Sequence, residues 1–409
     1  MSRRPLPPTR TSSRVLWRAL RALLAVSFIV AWPSPAHAYA WMIRHGYSQC
    51  AQCHVDPSGS GALTRYGHAL SETLLRTKYR WEKSDDDAEL GNFLFGAVKL
   101  PDELDLGGDV RLLWLHDKVE GAALQRRLIW MQIEGKASIQ SGRLVGSATL
   151  GYAPEGALGA AITGGADKNL VSREHWLGVW LDSSNQLLLR AGRMNLPFGV
   201  RSIEHTLWAR AFTGSNINDA QQYGLSLALS TEHFRGELMG IVGNFQIRPD
   251  EFRQRGYSAF AEYEIMPRLL LGASSKIVHE QLDPRFLRQE WRHAHGVFGR
   301  WASPWQPLVL LGELDYVADS PKGLFKTRGV VGYLQADVEA TQGLHFMGTF
   351  EGSGVTVSSA PTSFGGWLSY AWFFAPHADI RLDNIYHSIG TTSGHLGELS
   401  WLLQGHISL

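Results

Sequence analysis

Residues 330–339 of the chain read VVGYLQADVE. Successive side chains of a strand point to opposite faces, so every second residue of this stretch shares a side. One side carries Val330, Leu334, Ala336 and Val338, and the other carries Tyr333, Gln335, Asp337 and Glu339. The first side suits lipid and the second suits water, which is typical of a strand in a transmembrane β-barrel. A soluble sheet with one wet face gives the same pattern in any single strand, so the other segments decide.

Similar alternation recurs from about residue 105 to the C-terminus and predicts sixteen strands. The predicted strands lie near 106–117, 125–138, 143–152, 170–182, 186–193, 222–231, 234–244, 256–265, 268–279, 290–302, 307–317, 327–339, 343–352, 364–374, 377–388 and 395–409. Short turns such as Met266-Pro267 alternate with longer loops, as periplasmic turns and external loops do in outer-membrane barrels. The predicted fold of residues 105–409 is therefore all-β, a porin-like antiparallel transmembrane outer-membrane β-barrel of about 16 strands. Both termini would face the periplasm.

Two further features fit a barrel of this size. Aromatic residues fall beside the short turns, where an interfacial girdle is expected: Trp301, Trp305, Trp372, Phe373 and Phe374. The longest loop follows Gly199 and carries Arg201, His205 and Arg210. It resembles the loop that folds inward to constrict general porins, although an ordinary external loop explains it equally well.

The first 38 residues have the three parts of a secretory signal peptide. Six arginines and no acidic residue precede or enter the apolar stretch from Ala22 to Trp32, and Ala36-His37-Ala38 supplies a small-x-small cleavage pattern. The alternative is an uncleaved anchor, but the apolar stretch is short for a membrane span. Cleavage would change the formal balance from 39 − 38 to 33 − 38, leaving a mature charge of −5. This mildly acidic chain has no basic stripe for nucleic acid.

Both cysteines of the chain lie in Cys50-Ala51-Gln52-Cys53-His54. Two thiols three positions apart can add to the two vinyl groups of one porphyrin, and the following imidazole can then ligate the iron. The motif predicts one covalent haem c, attached through Cys50 and Cys53 with His54 as the proximal ligand. Zinc is the weaker alternative because no second Cys pair completes a tetrahedral site. No cysteine remains for a disulfide.

The second axial ligand of the haem iron is open between three residues. We rank His45 first, Met42 second and His68 third; each also has a simple explanation as a packed or surface side chain. Apolar residues from Leu63 to Leu74 recur at helical spacing, which predicts one amphipathic helix between residues 62 and 80. We therefore assign residues 39–83 to a short α-helical monohaem segment and residues 84–104 to a linker. A segment this small buries little surface alone, so we expect it to act as a plug or mouth domain of the barrel.

The exported Cys50–His54 motif resembles that of the fused monohaem cytochrome–porins of bacterial outer membranes, which include outer-membrane cytochromes of iron-oxidising bacteria. The flanks Trp41 to Tyr47 and Leu63 to Gly67, and the attached barrel, carry the rest of the resemblance. It implies location in the bacterial outer membrane and single-electron transfer between an extracellular donor or acceptor and a periplasmic carrier such as a soluble cytochrome c. Ferrous iron is one candidate donor. The partners implied are thus membrane lipid and two redox partners, with no nucleic acid and the oligomeric state left open.

Two other functions compete with the electron conduit. The first is a porin-type diffusion channel in which the haem peptide is a structural or redox-sensitive plug. The second is a haem enzyme such as a peroxidase, which requires an open iron position and distal acid–base groups. Nucleophile-elbow, phosphate-loop and zinc-protease motifs are absent from the sequence, so we predict an electron-transfer protein rather than an enzyme of those classes.

Overall fold

The computed structural model describes most of the chain after the predicted signal peptide. The described residues are 40–59, 61–79, 90–154, 158–162, 170–202, 204, 206–247, 250–283, 287–355 and 361–409. The signal peptide predicted at 1–38, the first part of the predicted linker and His205 lie outside them. Within these ranges, no helix is long and apolar enough to cross a bilayer.

The described residues contain seventeen strands in one sheet. In chain order they are β1 Leu104–Val119, β2 Gln125–Ser141, β3 Leu144–Tyr152, β4 Leu170–Val171, β5 His175–Trp180, β6 Leu187–Met194, β7 Gln222–Ser230, β8 Phe234–Gly243, β9 Arg255–Met266, β10 Leu269–Glu280, β11 Glu290–Ala302, β12 Leu308–Pro321, β13 Thr327–Thr341, β14 Leu344–Ser353, β15 Ser363–Ala375, β16 Ala378–Thr391 and β17 Gly394–Ser408.

The sheet closes into an antiparallel barrel. Apart from β4 and β5, each strand pairs with its neighbours along the chain, and β1 pairs with β17 from Asp109↔Ser408 to Val119↔Glu398. The short β4 and β5 both pair with β3, so they are two halves of one interrupted barrel strand. The barrel therefore has sixteen strands, which confirms the predicted fold class. Closure leaves no unpaired sheet edge, which a bilayer requires because it offers no water to the backbone.

The alternation of side chains is the reverse of that in a soluble core. On β13 the Leu334 side chain points outward and is 56% exposed, whereas Gln335 points inward and is 2% exposed. The same holds on β17, where Trp401 is exposed and His406 is buried. Apolar side chains outside and buried polar side chains inside suit a barrel in lipid whose lumen is filled. In the expected aromatic girdle, Phe373 is the exception, because it points into the lumen and packs there.

The break between β4 and β5 is a departure from the single strand predicted at 170–182. Regular strands alternate, yet Arg173 and Glu174 are consecutive and both face the lumen. Both backbone N–H groups donate to the Thr149 hydroxyl, and the Arg173 guanidinium lies 3.1 Å from a carboxylate oxygen of Glu134. The interruption thus allows two adjacent charged side chains to enter the lumen.

Of the segment before β1, residues 40–79 pack inside the barrel, whereas Leu94 and Phe95 are exposed. The segment has 3₁₀ turns at Ala40–His45, Cys50–Gln52 and Phe93–Gly96, a helix α1 at Arg65–Leu70 and a π-helical turn at Ser71–Leu75. Trp41, Met42, Ile43 and Tyr47 pack against four residues of the barrel wall: Leu270, Ala302, Val309 and Leu311. We call residues 40–79 the plug. Its core is thus shared with the wall, as expected for a segment too small to fold alone.

The helical part of the plug is shorter than the predicted 62–80. Leu63 pairs with His54 in an isolated bridge, and the Thr64 hydroxyl caps the helix by accepting from the Gly67 N–H at 3.1 Å. At the other end, Arg76 is extended and the Thr77 N–H donates to the Phe373 carbonyl of β15 at 2.8 Å. Backbone contacts with the barrel therefore end the helical stretch near Leu75.

The long loop between β6 and β7 folds into the lumen and contains helix α2 at Trp208–Thr213. Its backbone N–H groups donate to side chains of three wall strands: Gly199 to Ser274, Val200 to Glu313 and Trp208 to Glu351, at 2.8–2.9 Å. Leu207 and Arg210 are buried. Of the two alternatives left open by the sequence, the inward loop is the one observed; we call residues 195–221 the inward loop.

Candidate cofactor site

The Cys50–His54 motif forms one tight turn within the plug. The N–H groups of Cys53 and His54 both donate to the Cys50 carbonyl, at 3.1 and 2.9 Å. His54 then bridges to Leu63, and the Val55 N–H donates to the Ala62 carbonyl at 3.0 Å. A small hairpin therefore fixes both cysteines and the histidine relative to each other before any cofactor is considered.

Two glycines allow the chain to pass close to each cysteine. A Cβ on Gly59, whose φ is +90°, would lie 2.9 Å from both Cβ and Sγ of Cys50. A Cβ on Gly67, near the start of α1, would lie 2.3 Å from the Cys53 carbonyl oxygen. Any larger residue would force these segments apart, so the glycines keep the hairpin and α1 packed around the motif.

A cavity in the lumen borders the motif. Cys50, Cys53 and His54 form part of its wall. Apolar residues of the plug and the barrel continue that wall: Met42, Leu63, Leu70, Leu75, Leu311, Met347 and Phe373. Charged residues line the remainder: Glu72, Arg76, Asp109, Arg111, Glu134, Lys136, Arg173, Glu174, Arg201, Glu204, Arg300, Asp379 and Arg381. Two thiols, an imidazole, apolar surface and cations on one cavity are a set of residues that fits a haem with its acidic side chains.

Of the three candidates for the second axial ligand, Met42 is the one on the cavity wall. Its side chain is 2% exposed and belongs to the cluster shared by plug and barrel. His45 is directed elsewhere, because its Nε2 lies 2.9 Å from Glu339 Oε2, a carboxylate that also pairs with Arg44. Position in the fold therefore favours Met42, the second of the three candidates by sequence, over His45.

His68, the third candidate, faces the barrel wall on α1. Its Cε1 lies 3.8 Å from the position that a Cβ on Gly107 of β1 would occupy. Burial, followed by the charge of His377, lowers the pKa of His68 to about 4. His68 is not among the described residues that line the cavity. We therefore assign it to the contact between the plug and the barrel wall.

Buried ion pairs attach the motif hairpin to the barrel wall. Asp56 and Arg190 of β6 are both fully buried and lie 2.7 Å apart, and Arg190 also pairs with Glu237 of β8 at 2.5 Å. Arg235 of β8 donates from Nη1 to Cys50 Sγ at 2.7 Å and pairs with Glu262 of β9 at 3.2 Å. Arg300 of β11 pairs with the same Glu262 and donates to the Ser48 carbonyl at 2.8 Å.

The sequence does not predict that these wall arginines contact the motif hairpin. Each occupies an inward position of a strand that was predicted within a few residues, so alternation alone places it in the lumen. That signal shows which arginines point inward but not which meet Cys50, because the contacts join residues up to 252 positions apart. Among the described residues, no group of three or more His, Cys, Asp or Glu side chains is arranged to hold a metal ion.

The plug meets the barrel at the end with the short turns. The Gln49 side-chain amide donates to the Thr231 carbonyl beside the turn at Glu232-His233. Arg44 pairs with Glu339 at 2.8 Å, and Thr77 donates from Oγ1 to the Gln342 carbonyl at 3.1 Å, both next to the turn between β13 and β14. The candidate cofactor site therefore lies toward the short-turn end of the lumen, and the inward loop lies beyond it.

No protein-family model matches the sequence, and no curated protein matches it either. Solved structures do match in fold. OmpT of Vibrio cholerae, expressed in the outer membrane, gives a TM-score of 0.57 at 10% identity, covering 76% of this chain and 99% of that one. An anion-selective porin from Comamonas acidovorans gives 0.56 at 10% identity, covering 75% and 99%. The outer membrane channel DcaP of Acinetobacter baumannii gives 0.54 at 11% identity, covering 76% and 99%.

At these identities the similarity shows a shared fold and says nothing about the candidate cofactor site. It covers about three quarters of this chain and nearly the whole of each porin. The described chain thus has the closed barrel of the outer-membrane porins.

Proposed function

We propose that this chain is an outer-membrane barrel whose lumen holds one covalently attached haem c, and that the haem passes single electrons across the barrel. One observation carries the proposal: Cys50, Cys53, His54 and Met42 all line the same cavity. Cys50 and Cys53 would hold the haem through thioether bonds, and His54 and Met42 would supply ligands to its iron. Haem supplies reversible one-electron chemistry, while the chain supplies position, ligation and exclusion of water.

The location of the plug indicates from which end of the barrel each redox partner would approach. Short turns face the periplasm in outer-membrane barrels, so the site would lie nearer the periplasmic side. The apolar band of such barrels is about 25 Å tall, and a periplasmic carrier would meet the cofactor at the short-turn end. The extracellular donor or acceptor would approach from the long-loop end. The resemblance of the Cys50–His54 motif to that of the fused monohaem cytochrome–porins supports this proposal.

A second candidate is a porin-type diffusion channel with the plug as a structural or redox-sensitive element. The similarity to porins favours this candidate, because every solved structure compared above is an outer-membrane protein or porin of that fold. The electron-transfer function rests on the motif and the cavity alone.

The two candidates predict different behaviour of the purified protein. We expect a c-type visible spectrum that disappears in the Cys50→Ala/Cys53→Ala variant, and electron exchange with an impermeant dye across proteoliposomes that this variant lacks. Heat-modifiable gel mobility of the variant would show that the barrel itself still folds. Large steady conductance in planar bilayers, unchanged by haem reduction and without electron exchange, would reject the conduit in favour of the channel. Absence of the c-type spectrum from wild-type protein made in a maturation-competent host would reject both haem proposals.

A further inference from the structure

Arg201 in the inward loop is a buried cation without a hydrogen-bond partner among the described residues. Its side chain is 8% exposed, and none of its three guanidinium nitrogens makes a hydrogen bond. One carboxylate oxygen, Glu237 Oε2, lies 3.5 Å from Nη2, which is an ion pair longer than a hydrogen bond. The guanidinium carbon lies 4.4 Å from the centre of the Phe260 ring, and the residue lines the cavity beside Cys50.

The charges around Cys50 do not balance. Among the described residues, four arginines face three carboxylates there. The arginines are Arg190, Arg201, Arg235 and Arg300, and the carboxylates are Asp56, Glu237 and Glu262. The other three arginines each have a carboxylate at 3.2 Å or closer, so the excess positive charge falls on Arg201. A buried charge without a close partner is costly, so this position is suited to an anion.

Cys50 would not supply the missing negative charge once it is attached to a haem. Its Sγ already accepts from Arg235. After attachment to a haem the sulfur is a thioether, which has no proton to lose and cannot become an anion. An anion that enters the cavity from elsewhere is therefore needed to balance Arg201.

The backbone holds Arg201 in place for such a ligand. Its φ is +56°, a left-handed conformation that is unfavourable for a residue with a side chain. The preceding residues fix this conformation, because the N–H groups of Gly199 and Val200 donate to Ser274 and Glu313 of the wall at 2.8 and 2.9 Å. A planar guanidinium held rigidly in a cavity matches the two oxygens of a carboxylate.

We propose that Arg201 is the carboxylate-binding residue of the lumen cavity. The carboxylate belongs either to the propionate side chain of the attached haem or to a small carboxylate solute in the lumen. The first source rests on the proposed haem attachment, whereas the second does not.

The haem arm of the test compares reduction potentials. Arg201→Gln removes the charge, and Arg210→Gln is the matched control, because Arg210 is buried in the same loop and also has guanidinium nitrogens without hydrogen bonds but does not line the cavity. We expect Arg201→Gln to favour ferric over ferrous haem at least tenfold, a potential lower by about 59 mV for one electron. Arg201→Lys keeps the positive charge, so its reduction potential should stay close to that of the wild-type protein. Arg210→Gln should change the potential much less than Arg201→Gln does.

The solute arm measures acetate binding by calorimetry. With a propionate as the ligand, acetate should bind to the haem-free Cys50→Ala/Cys53→Ala protein, fail to bind once Arg201→Gln is added, and fail to bind the haem-loaded protein. With a solute as the ligand, acetate should bind the haem-loaded protein as well and shift its potential. An unchanged potential in Arg201→Gln together with equal acetate binding with and without Arg201 would overturn the proposal. Loss of all haem signal from wild-type protein would count against the proposed function and leave the haem-free arm interpretable.

Discussion

Met42 is the side chain on which the redox properties of the proposed site depend. Thioether ligation raises the reduction potential of haem iron relative to a second imidazole. We therefore expect Met42→His to lower the potential by more than about 59 mV, a tenfold change in the redox equilibrium, as measured by spectroelectrochemical titration. His45→Ala is the control, because His45 is bound to Glu339 outside the cavity wall. A larger shift from His45→Ala than from Met42→His would show that His45 is the ligand.

The sequence indicates the proposed attachment residues but does not favour Met42 as the proposed second ligand. Cys50, Cys53 and His54 are identified by a local motif whose chemistry depends only on spacing. Met42 and His45 lie on the same 3₁₀ turn, Ala40–His45, and the rotation of that turn decides which side chain enters the cavity. The rotation is set by packing of Trp41 and Ile43 against distant strands, and no local pattern carries that information.

Helix α1 attaches the plug to β1, and His68 makes this contact sensitive to pH. Burial lowers the pKa of His68 from 6.5 to about 4, so the docked plug keeps His68 neutral where a released plug would bind a proton. Stability of the docked state is therefore full above the ordinary pKa and falls as the pH drops from about 6.5 to about 4. The loss is at most about 3 kcal/mol for this one group.

Limited proteolysis of the plug can measure this effect. We expect residues near α1 to be cleaved faster at about pH 4.5 than at about pH 7, since more of the plug is then undocked. His68→Gln removes the titrating group and should reduce the ratio of the two cleavage rates. An unchanged ratio in His68→Gln would assign the pH dependence to other groups.

The sequence predicted the barrel strands well. Alternation and turn residues are local, and they located all sixteen barrel strands to within a few residues. The interruption between β4 and β5 was not predictable, because it depends on Thr149 and Glu134 of other strands accepting from Arg173 and Glu174. The inward loop was left open for the same reason, since its bonds reach Ser274, Glu313 and Glu351.

In the whole molecule, the barrel is closed by its own strand pairing, and the plug is a separate segment held within it. The strand hydrogen bonds form a complete ring that does not include the plug. The plug is held instead by side-chain packing, by a few backbone contacts at the short-turn end and by buried ion pairs. Loosening the plug should therefore open the lumen without unfolding the barrel, so conductance reports on the plug.

The Asp56–Arg190 pair offers a direct test of whether buried ion pairs hold the plug in the barrel. Asp56→Ala leaves Arg190 with Glu237 as its remaining carboxylate and removes the bond from the Ser58 N–H to Asp56, which is 2.7 Å long. Removing one partner of a buried pair typically costs about 3–5 kcal/mol, so we expect a larger single-channel conductance in planar bilayers with unchanged gel mobility of the folded barrel. Asp102→Ala is the matched control, because Asp102 pairs with Arg65 of the plug but is 91% exposed, and exposed pairs contribute little. Equal conductance of the two variants would mean that the Asp56–Arg190 pair does not hold the plug, and that the apolar packing and the remaining plug–wall contacts do so.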